Sequence, residues 1–403
     1  MAYFYNKKIC HTKISVKKLR TNKYYIYICT EKTSKAMLKK FAVTSYRGFK
    51  ERLEWNLSNP SNYNFSGYAI KDGIIKNGII YGPNGSGKSN LGMAIFDIEH
   101  HLSPNTIDPK YFMNYSYANT MRNVDFEYTF QFGDKELQYN YTNDYNGNIL
   151  SEELFVNGKL AFRHTYNTFE YDNEEFTFSD MFVSQIKHNG NNLVIVNFIT
   201  MNYPLPKGHF LLKLKDFVKG MLWFRSLRGN EFIGELGKSG ESLEGYIIEN
   251  RLVDDFADFL NKVSEQNFKF VKPKEGEKAL LIDFGRPVPF QLVASTGTKS
   301  LLLLYYWYKH LDSDNVYFVF IDEFDAFYHF RLAYEVCKKM FNLKCQVFMS
   351  SHNTYLMTND LLRPDCNFIL NNNLIKPLCD CTEKEIRFGN NVEKLYRGGA
   401  FNI

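Results

Sequence analysis

The chain has 403 residues, 44% of them hydrophobic and 17% aromatic, enough for a large core and for two or three domains. No run of 18 apolar residues occurs and no apolar leader precedes a small-residue cleavage site, so neither a membrane span nor a secretory signal is predicted; the seven cysteines contain no CxxC pair and read as reduced thiols of a cytoplasmic protein. The net charge of +5 is uneven: residues 1–36 hold nine basic groups against Glu31, a net +8, which leaves −3 over the other 367 residues and argues against a body built for general nucleic-acid binding.

Residues 1–36 are expected to be a basic extension, either disordered or lying ahead of a start at Met37; the other reading is a tail that touches nucleic acid. Met37 to Phe49 alternates as a strand and turns at Gly48. Ile74 to Tyr81 reads as a short apolar strand interrupted by Lys76 and Asn77, and Ser89 to His101 as a helix. Val124, Phe126, Tyr128, Phe130 and Phe132 alternate, Gly133-Asp134 turns, and Leu137, Tyr139 and Tyr141 continue the rhythm, which predicts an antiparallel hairpin sheet. From Phe210 to Asn267 the period becomes helical, with Leu252, Phe256, Phe259, Leu260 and Val263 on one stripe. Leu280 to Phe290 is strand-like, Ser300 to Leu311 a helix, Val316 to Ile321 a buried strand, Leu332 to Phe341 a helix and Cys345 to Met349 another buried strand. Apolar runs alternating with helices predict an α/β fold around a mostly parallel sheet. The expected organisation is a first lobe over 37–205 with an antiparallel β-subdomain, a helical insertion over 206–275 and a second lobe over 276–403.

Gly82-Pro83-Asn84-Gly85-Ser86-Gly87-Lys88-Ser89 fits GxxxxGK[ST] at every fixed position, after a strand and before a helix. The glycines let the backbone N–H groups turn toward phosphates, and the helix N-terminus adds partial positive charge. Lys88 is assigned to the β- and γ-phosphates of ATP, Ser89 to Mg²⁺, and Asn90 completes the cradle. Val316-Tyr-Phe-Val-Phe-Ile-Asp322-Glu323 is the second element. An aspartate ending a buried strand is costly unless it serves a cation, so Asp322 is assigned to the Mg²⁺ shell and Glu323 to the attacking water.

Asp322 follows Lys88 by 234 residues, a wider gap than in AAA+ engines or small GTPases and one that resembles the ABC, Rad50 and SMC group. That group also carries a serine–glycine signature loop upstream of the acidic strand and a histidine downstream. Ser295-Thr296-Gly297 lies 27 residues before Asp322, and His352 lies 29 residues after Glu323. A serine and a glycine opening a helix form an anion site, though taken alone they are an ordinary cap. The resemblance implies that this loop closes on the γ-phosphate held by a second copy of the chain, with His352 beside the phosphate and the water. The fold it implies is an ABC-ATPase head with a P-loop sheet, an antiparallel β-subdomain and a short helical insertion.

Further stretches sharpen the resemblance. Asp322-Glu-Phe-Asp-Ala-Phe-Tyr-His329, Ser351-His-Asn-Thr-Tyr-Leu-Met357, Arg363-Pro364-Asp365 and Val392-Glu-Lys-Leu-Tyr-Arg-Gly-Gly399 are similar to the compact AAA15 or OLD-like ATPases of bacterial anti-phage defence, and among these to the ATPase subunits of PARIS systems. The resemblance implies a homo-oligomer of ATP-bridged dimers (a trimer of dimers, for instance), a TOPRIM nuclease effector on a separate chain, and a viral DNA-mimic protein as trigger. His329 stands where many ABC proteins carry an aspartate. Gln131, or Asn119 or Asn123, is the candidate for the glutamine that usually couples metal to the insertion. Lys207, Lys213, Lys215, Lys219, Arg225 and Arg228 accompany a single acid, Asp216, and are read either as a solvated helix face or as the surface that meets an acidic trigger. A Rad50- or SMC-like DNA-repair ATPase is the alternative, for which the insertion leaves no room for long coiled-coil arms.

Overall fold

The computed structural model describes residues 15–21, 24–30, 35–102, 109–166, 168–189, 193–225, 231–234, 242–264, 266–274, 276–311 and 313–402. The chain divides into two compact units, Met1–Lys35 and Ala36–Ile403. In the first, strands β1 (Ser15–Thr21) and β2 (Tyr24–Thr30) pair antiparallel, Ser15 opposite Thr30; the rest of the expected basic extension, apart from Lys35 and Ala36, lies outside the described residues.

The second unit opens with β3 (Met37–Thr44) and β4 (Leu53–Asn56), then the short pair β5 (Ile70–Lys71) and β6 (Ile74–Ile75), and β7 (Asn77–Tyr81). Helices α1 (Lys88–Ile95) and α2 (Asp97–Leu102) follow where one helix was expected. The two polar residues interrupting the run before Tyr81 have a structural role. Lys76 Nζ and Asn77 Nδ2 each donate to the carbonyl of Phe341 at 3.0 Å, satisfying an acceptor that a helix C-terminus leaves open.

Strands β8 (Val124–Phe132), β9 (Lys135–Asn143), β10 (Ile149–Val156), β11 (Lys159–Thr165) and β12 (Thr168–Tyr171) form a meander. With β3 and β4 they make a seven-stranded sheet in the order β12-β11-β10-β9-β8-β3-β4, and every pairing within it is antiparallel. Its period-2 pattern is the expected one: Val124, Phe126, Tyr128, Phe130 and Phe132 are buried while the residues between them are half-exposed.

Helices α3 (Asp180–Asn189), α4 (Ile195–Asn202) and α5 (Phe210–Lys219) lead to a correction. The helical period expected from 210 to 267 breaks at Gly220, and Met221–Arg225 is a strand, β13, followed by β14 (Glu231–Ile233). The Met-Leu-Trp-Phe run is short, apolar and preceded by glycine, the pattern of a fully buried strand rather than a helix. Helical structure resumes with α6 (Leu243–Glu249) and α7 (Val253–Ser264), whose stripe Phe256, Phe259, Leu260 and Val263 is buried as expected.

The hairpin β15 (Leu281–Asp283) and β16 (Pro287–Pro289) and the single turn α8 (Phe290–Val293) precede α9 (Thr296–Leu311), which starts four residues earlier than expected. Then come β17 (Phe318–Asp322), α10 (Phe330–Phe341), β18 (Gln346–Ser350), β19 (Asn367–Asn371), β20 (Leu374–Pro377) and α11 (Val392–Arg397). The second seven-stranded sheet has the order β14-β13-β17-β18-β7-β19-β20. Its five central strands are parallel and its two edges antiparallel. The predicted α/β fold, a mostly parallel sheet beside an antiparallel one, is thus observed.

A buried amide bridges from the parallel sheet to β3 of the antiparallel one, beside the packing of Trp55 on Phe348 and Phe368. Gln346 Oε1 accepts from Leu38 N at 2.7 Å, and its Nε2 donates to Leu38 O and Ile75 O at 3.0 Å, all buried. Helix α1 lies close on the parallel sheet because its contact residue is glycine: a Cβ at Gly92 would stand 2.8 Å from Trp223 Nε1 and 2.9 Å from Phe320.

Candidate active site

The glycine loop Gly82–Gly87 joins β7 to α1. Gly87 has φ +100°, and a Cβ there would meet Phe49 at 2.8 Å, so this position needs glycine for both conformation and space. Pro83, Asn84 and Gly85 are exposed, whereas Lys88 is buried. The Lys88 ammonium donates to Gly82 O at 2.8 Å and Pro83 O at 3.1 Å, so it lies over its own loop. Burial lowers its pKa, opposed by the nearby carboxylates of Asp322 and Glu323. The hydroxyl of Ser86 is buried without a hydrogen-bond partner. Ser89 and Asn90 are half-buried on the first turn of α1.

Asp322 closes β17 and is fully buried. Arg225 Nε and Nη2 donate to its Oδ2 at 2.9 and 2.8 Å, and the Ser350 hydroxyl donates to its Oδ1 at 2.7 Å. The same hydroxyl accepts from Glu323 N at 2.8 Å, so one serine fixes two consecutive acidic residues. Glu323 itself sits in the left-handed region, φ 49°, where the strand ends and the chain turns away from the sheet. Neither Ser350 nor the role of Arg225 was anticipated. The clue to Ser350 was a polar residue closing the apolar run Val347–Met349. Arg225 had been grouped with the lysines of a recognition surface, but its head is directed at the carboxylate and lies over Trp223, 5.5 Å from the ring centre.

His352 follows the end of β18 at the surface. Burial of part of the ring and the neighbouring Lys88 hold its pKa below the usual histidine value, with Glu323 and Asp322 opposing, so the imidazole is neutral at pH 7. Ser351 donates to Asp325 Oδ2 at 2.6 Å and accepts from Asn353 N at 2.9 Å, which fixes the turn carrying the histidine. Lys88, Asp322, Glu323 and His352 are therefore one electrostatic cluster at the C-terminal edge of the parallel strands, where open α/β sheets bind ligands.

The predicted signature residues are built differently. The Ser295 hydroxyl accepts from Thr298 N at 3.1 Å and contacts Thr298 Oγ1 at 2.8 Å, the geometry of a helix cap. Ser295 and Thr296 are exposed, and Gly297 faces the carbonyl of Phe327. Their bonds are within α9, not to the Lys88 cluster. Large exposed apolar side chains lie next in sequence to this loop, to the start of α10 and to the His352 turn: Leu292 is 77% exposed, Phe330 61% and Tyr355 58%. His329 caps α10, its Nδ1 accepting from Leu332 N at 3.4 Å.

Of the candidates for the coupling amide, Gln131 donates to Gly133 O at 2.9 Å in its own hairpin turn. Asn119 lies in an exposed loop that bonds through Ala118 N to Arg47 O, in the turn whose Phe49 packs on Gly87; Asn123 is exposed in the same loop. Lys207, Lys213 and Lys219 face solvent, Lys215 donates to Asn197 Oδ1 at 2.9 Å, and Arg228 lies outside the described residues. Arg363 and Asp365 form a buried pair, with bonds of 2.8 and 2.7 Å, that also grips the backbone of Ser61.

The donor set suits a nucleoside triphosphate with a hard cation. The ammonium of Lys88, the spare hydroxyl of Ser86 and the N-terminal amides of α1 match phosphate oxygens. The Ser89 hydroxyl and the Asp322 carboxylate are oxygen donors of the kind Mg²⁺ takes together with substrate phosphates. No helix among the described residues is long and apolar enough to cross a membrane.

The family described as "AAA domain, putative AbiEii toxin, Type IV TA system" matches residues 79–358, a span that takes in every predicted site residue. No curated protein matches the chain. Among solved structures, an Smc head bound to the C-terminal winged-helix domain of ScpA is 13% identical, with 84% of this chain and 96% of that chain covered and a TM-score of 0.45. The SMC head domain from Thermotoga maritima is 14% identical, with 84% and 97% covered and a TM-score of 0.41. The recombination mediator RecF with ATP is 15% identical, with 86% and 98% covered and a TM-score of 0.38.

Proposed function

The chain belongs to that AAA-domain family and is an ATPase, and from this premise we propose that it binds ATP with Mg²⁺ on the Gly82–Ser89 loop and hydrolyses it between two copies of itself. The observation that carries the reading is the division of the site. Lys88, Asp322, Glu323 and His352 form one electrostatic cluster, whereas Ser295 and Thr296 are exposed and the Ser295 side chain bonds only to its own helix start. A second copy of the chain supplies what each part lacks.

Lys88 and the loop amides hold the β- and γ-phosphates, and Asp322 and Ser89 hold the metal side. Mg²⁺, when bound, neutralises phosphate charge. Glu323, its backbone fixed by Ser350, orients the attacking water and takes its proton. Neutral His352 contacts the γ-phosphate and the same water. Ser295, Thr296 and Gly297 close on the γ-phosphate of the partner's nucleotide, so ATP joins the copies and hydrolysis loosens them.

We further propose, from the resemblance in the Asp322–His329, Ser351–Met357 and Val392–Gly399 segments, that this ATPase serves in the cytoplasm in anti-phage defence of the PARIS kind. In that role, an assembly of ATP-bridged dimers restrains a separate TOPRIM nuclease and releases it when a viral DNA-mimic protein binds. Lys207, Lys213 and Lys219 on and beside α5, with Lys215 partly engaged, form the acid-seeking surface for that trigger.

The decisive experiment uses Glu323→Gln with ATP. It should hydrolyse about 100-fold more slowly or less and run by light scattering as a dimer or a multiple of it. Adding Ser295→Arg should restore the nucleotide-free size while ATP binding persists. Wild-type turnover in Glu323→Gln, or a nucleotide-bound monomer, refutes the shared site. In the same trapped assembly a TOPRIM nuclease should co-purify. Lys213→Glu, Lys215→Glu and Lys219→Glu together should block its release by a DNA-mimic protein and spare turnover; unaltered release removes the trigger surface from the proposal.

A further inference from the structure

Beyond that reading, and resting on it, we propose that Arg225 is an internal counter-cation that occupies the Asp322 carboxylate and competes with the divalent metal for it. Three observations converge. Asp322 is fully buried, and both of its oxygens are engaged, Oδ2 by two N–H groups of Arg225 and Oδ1 by Ser350. Arg225 and Asp322 are register partners on the adjacent parallel strands β13 and β17, at the strands' C-terminal ends. Those ends are the ligand-binding edge of the sheet, which also holds Lys88, Glu323 and His352. The guanidinium is thus at the place where the metal's charge would arrive.

A buried carboxylate without a cation is strongly unfavourable, so Arg225 supplies one while the site is empty. Once a divalent metal is present, the same carboxylate would face two cations close together, which repel. The guanidinium is the one that can yield. It hangs from a flexible side chain, and the ring of Trp223 gives it a second surface to rest on. Arg225 therefore weakens metal binding, and metal occupancy displaces its guanidinium from the carboxylate. A merely structural arginine would do the reverse and support the carboxylate for the metal.

The test measures Mn²⁺ binding by electron paramagnetic resonance on the full chain saturated with the β,γ-imido analogue of ATP. Arg225→Gln should bind Mn²⁺ about tenfold more tightly than wild type, since it removes the competitor. Its thermal midpoint in EDTA should fall, and Mg²⁺ with the same analogue should restore it. An equal or weaker Mn²⁺ affinity in folded Arg225→Gln overturns the proposal. Should that variant not fold, Arg225→Lys, which keeps charge but loses the two-pronged contact, should shift affinity in the same direction by a smaller factor, and no shift or a weakening overturns it. Introducing Asp322→Asn into both the wild-type chain and the Arg225→Gln variant should abolish the difference in Mn²⁺ affinity between them; a difference that persists overturns the proposal, since the competition would then be for another group. If wild type takes up neither the analogue nor Mn²⁺, the reading of the site fails and this inference with it; uptake by wild type without tightening in the variant defeats the inference alone.

Discussion

In the parallel sheet the buried carboxylate of Asp322 lies against a guanidinium and a serine hydroxyl. In the antiparallel sheet the equally buried carboxylate of Glu152 lies against a phenol and two backbone amides: Tyr139 Oη at 2.7 Å, Ile195 N at 2.6 Å and Val196 N at 3.1 Å. Asp97, on α2 beside that sheet, is likewise held by the hydroxyls of Tyr111 and Tyr141 at 2.9 and 2.8 Å. Burial pushes Glu152 up to about 7 and Asp97 up to about 6, even though each accepts several hydrogen bonds. The difference separates two uses of a buried acid. Where charge is needed for chemistry, the fold places a cation beside it. Where an acid fastens a helix to a sheet, hydroxyls and backbone amides do most of the holding and the proton is kept to a higher pH than usual.

The sharpest way to break this comparison is to remove a cation from the parallel-sheet side. Lys88→Ala should weaken ATP binding by about three orders of magnitude, ~4 kcal/mol, because it removes the ammonium lying over the Gly82 and Pro83 carbonyls. Equilibrium dialysis measures it, with unfolding by urea as the control. The fold should hardly change, since Lys88 serves the ligand rather than the core. A large loss of stability with ATP affinity intact would assign Lys88 to the scaffold instead.

The next effect tests the joint between the two sheets. Gln346→Leu preserves volume but strands the N–H and C=O of Leu38 and the C=O of Ile75 in a dry interior. We expect about 3–4 kcal/mol of destabilisation, read as a lower urea midpoint at an unchanged slope. Nucleotide affinity in the folded fraction should stay close to wild type, since Gln346 and the Lys88 cluster lie at opposite ends of β18. A changed slope would mean that the antiparallel sheet unfolds as a unit of its own, and the two sheets would then be separate in stability as well as in chemistry.

The two regions also differed in how much of them could be read from sequence. The antiparallel hairpin was legible because its signal is local: alternation along β8, a Gly-Asp turn, alternation along β9. The glycine loop and Asp322-Glu323 were legible because each is a contiguous string whose chemistry needs those residues in that order. What could not be read depends on pairing between distant segments. Arg225 lies opposite Asp322 only because β13 lies beside β17, a separation of 97 residues, and β13 itself was hidden by the helical rhythm of α5 running into Gly220. Ser350 and Gln346 are single polar residues at the two ends of an apolar strand, and nothing nearby in sequence states whom they serve. Ser295 was singled out by its motif and its spacing, but its side-chain bonds are those of a helix cap, and the role proposed for it needs a second copy.

The smallest effect concerns the antiparallel side alone and is a matter of pH. Glu152 titrates at about 7 when folded against an ordinary glutamate value of 4.5. The folded chain therefore holds the proton more tightly, and the stability linked to it is complete below 4.5 and lost as pH rises to about 7. Asp97, raised from 3.8 to about 6, acts in the same sense over its own window. His101 acts oppositely: burial lowers it to about 3, so stability falls as pH drops from 6.5 and the unfolded chain takes up the proton. The raw pH profile mixes these with other shifted groups, His209 among them, but the difference between wild type and Glu152→Gln isolates one. That difference should decline by on the order of 2–3 kcal/mol from pH 4.5 to about 7 and then stay level, whatever offset the new amide introduces against Ile195 N. Urea titrations across this pH range would show it. Parallel curves would mean that Glu152 keeps its charge in the fold, and the contrast with Asp322 would then rest on what each acid does and which partners hold it.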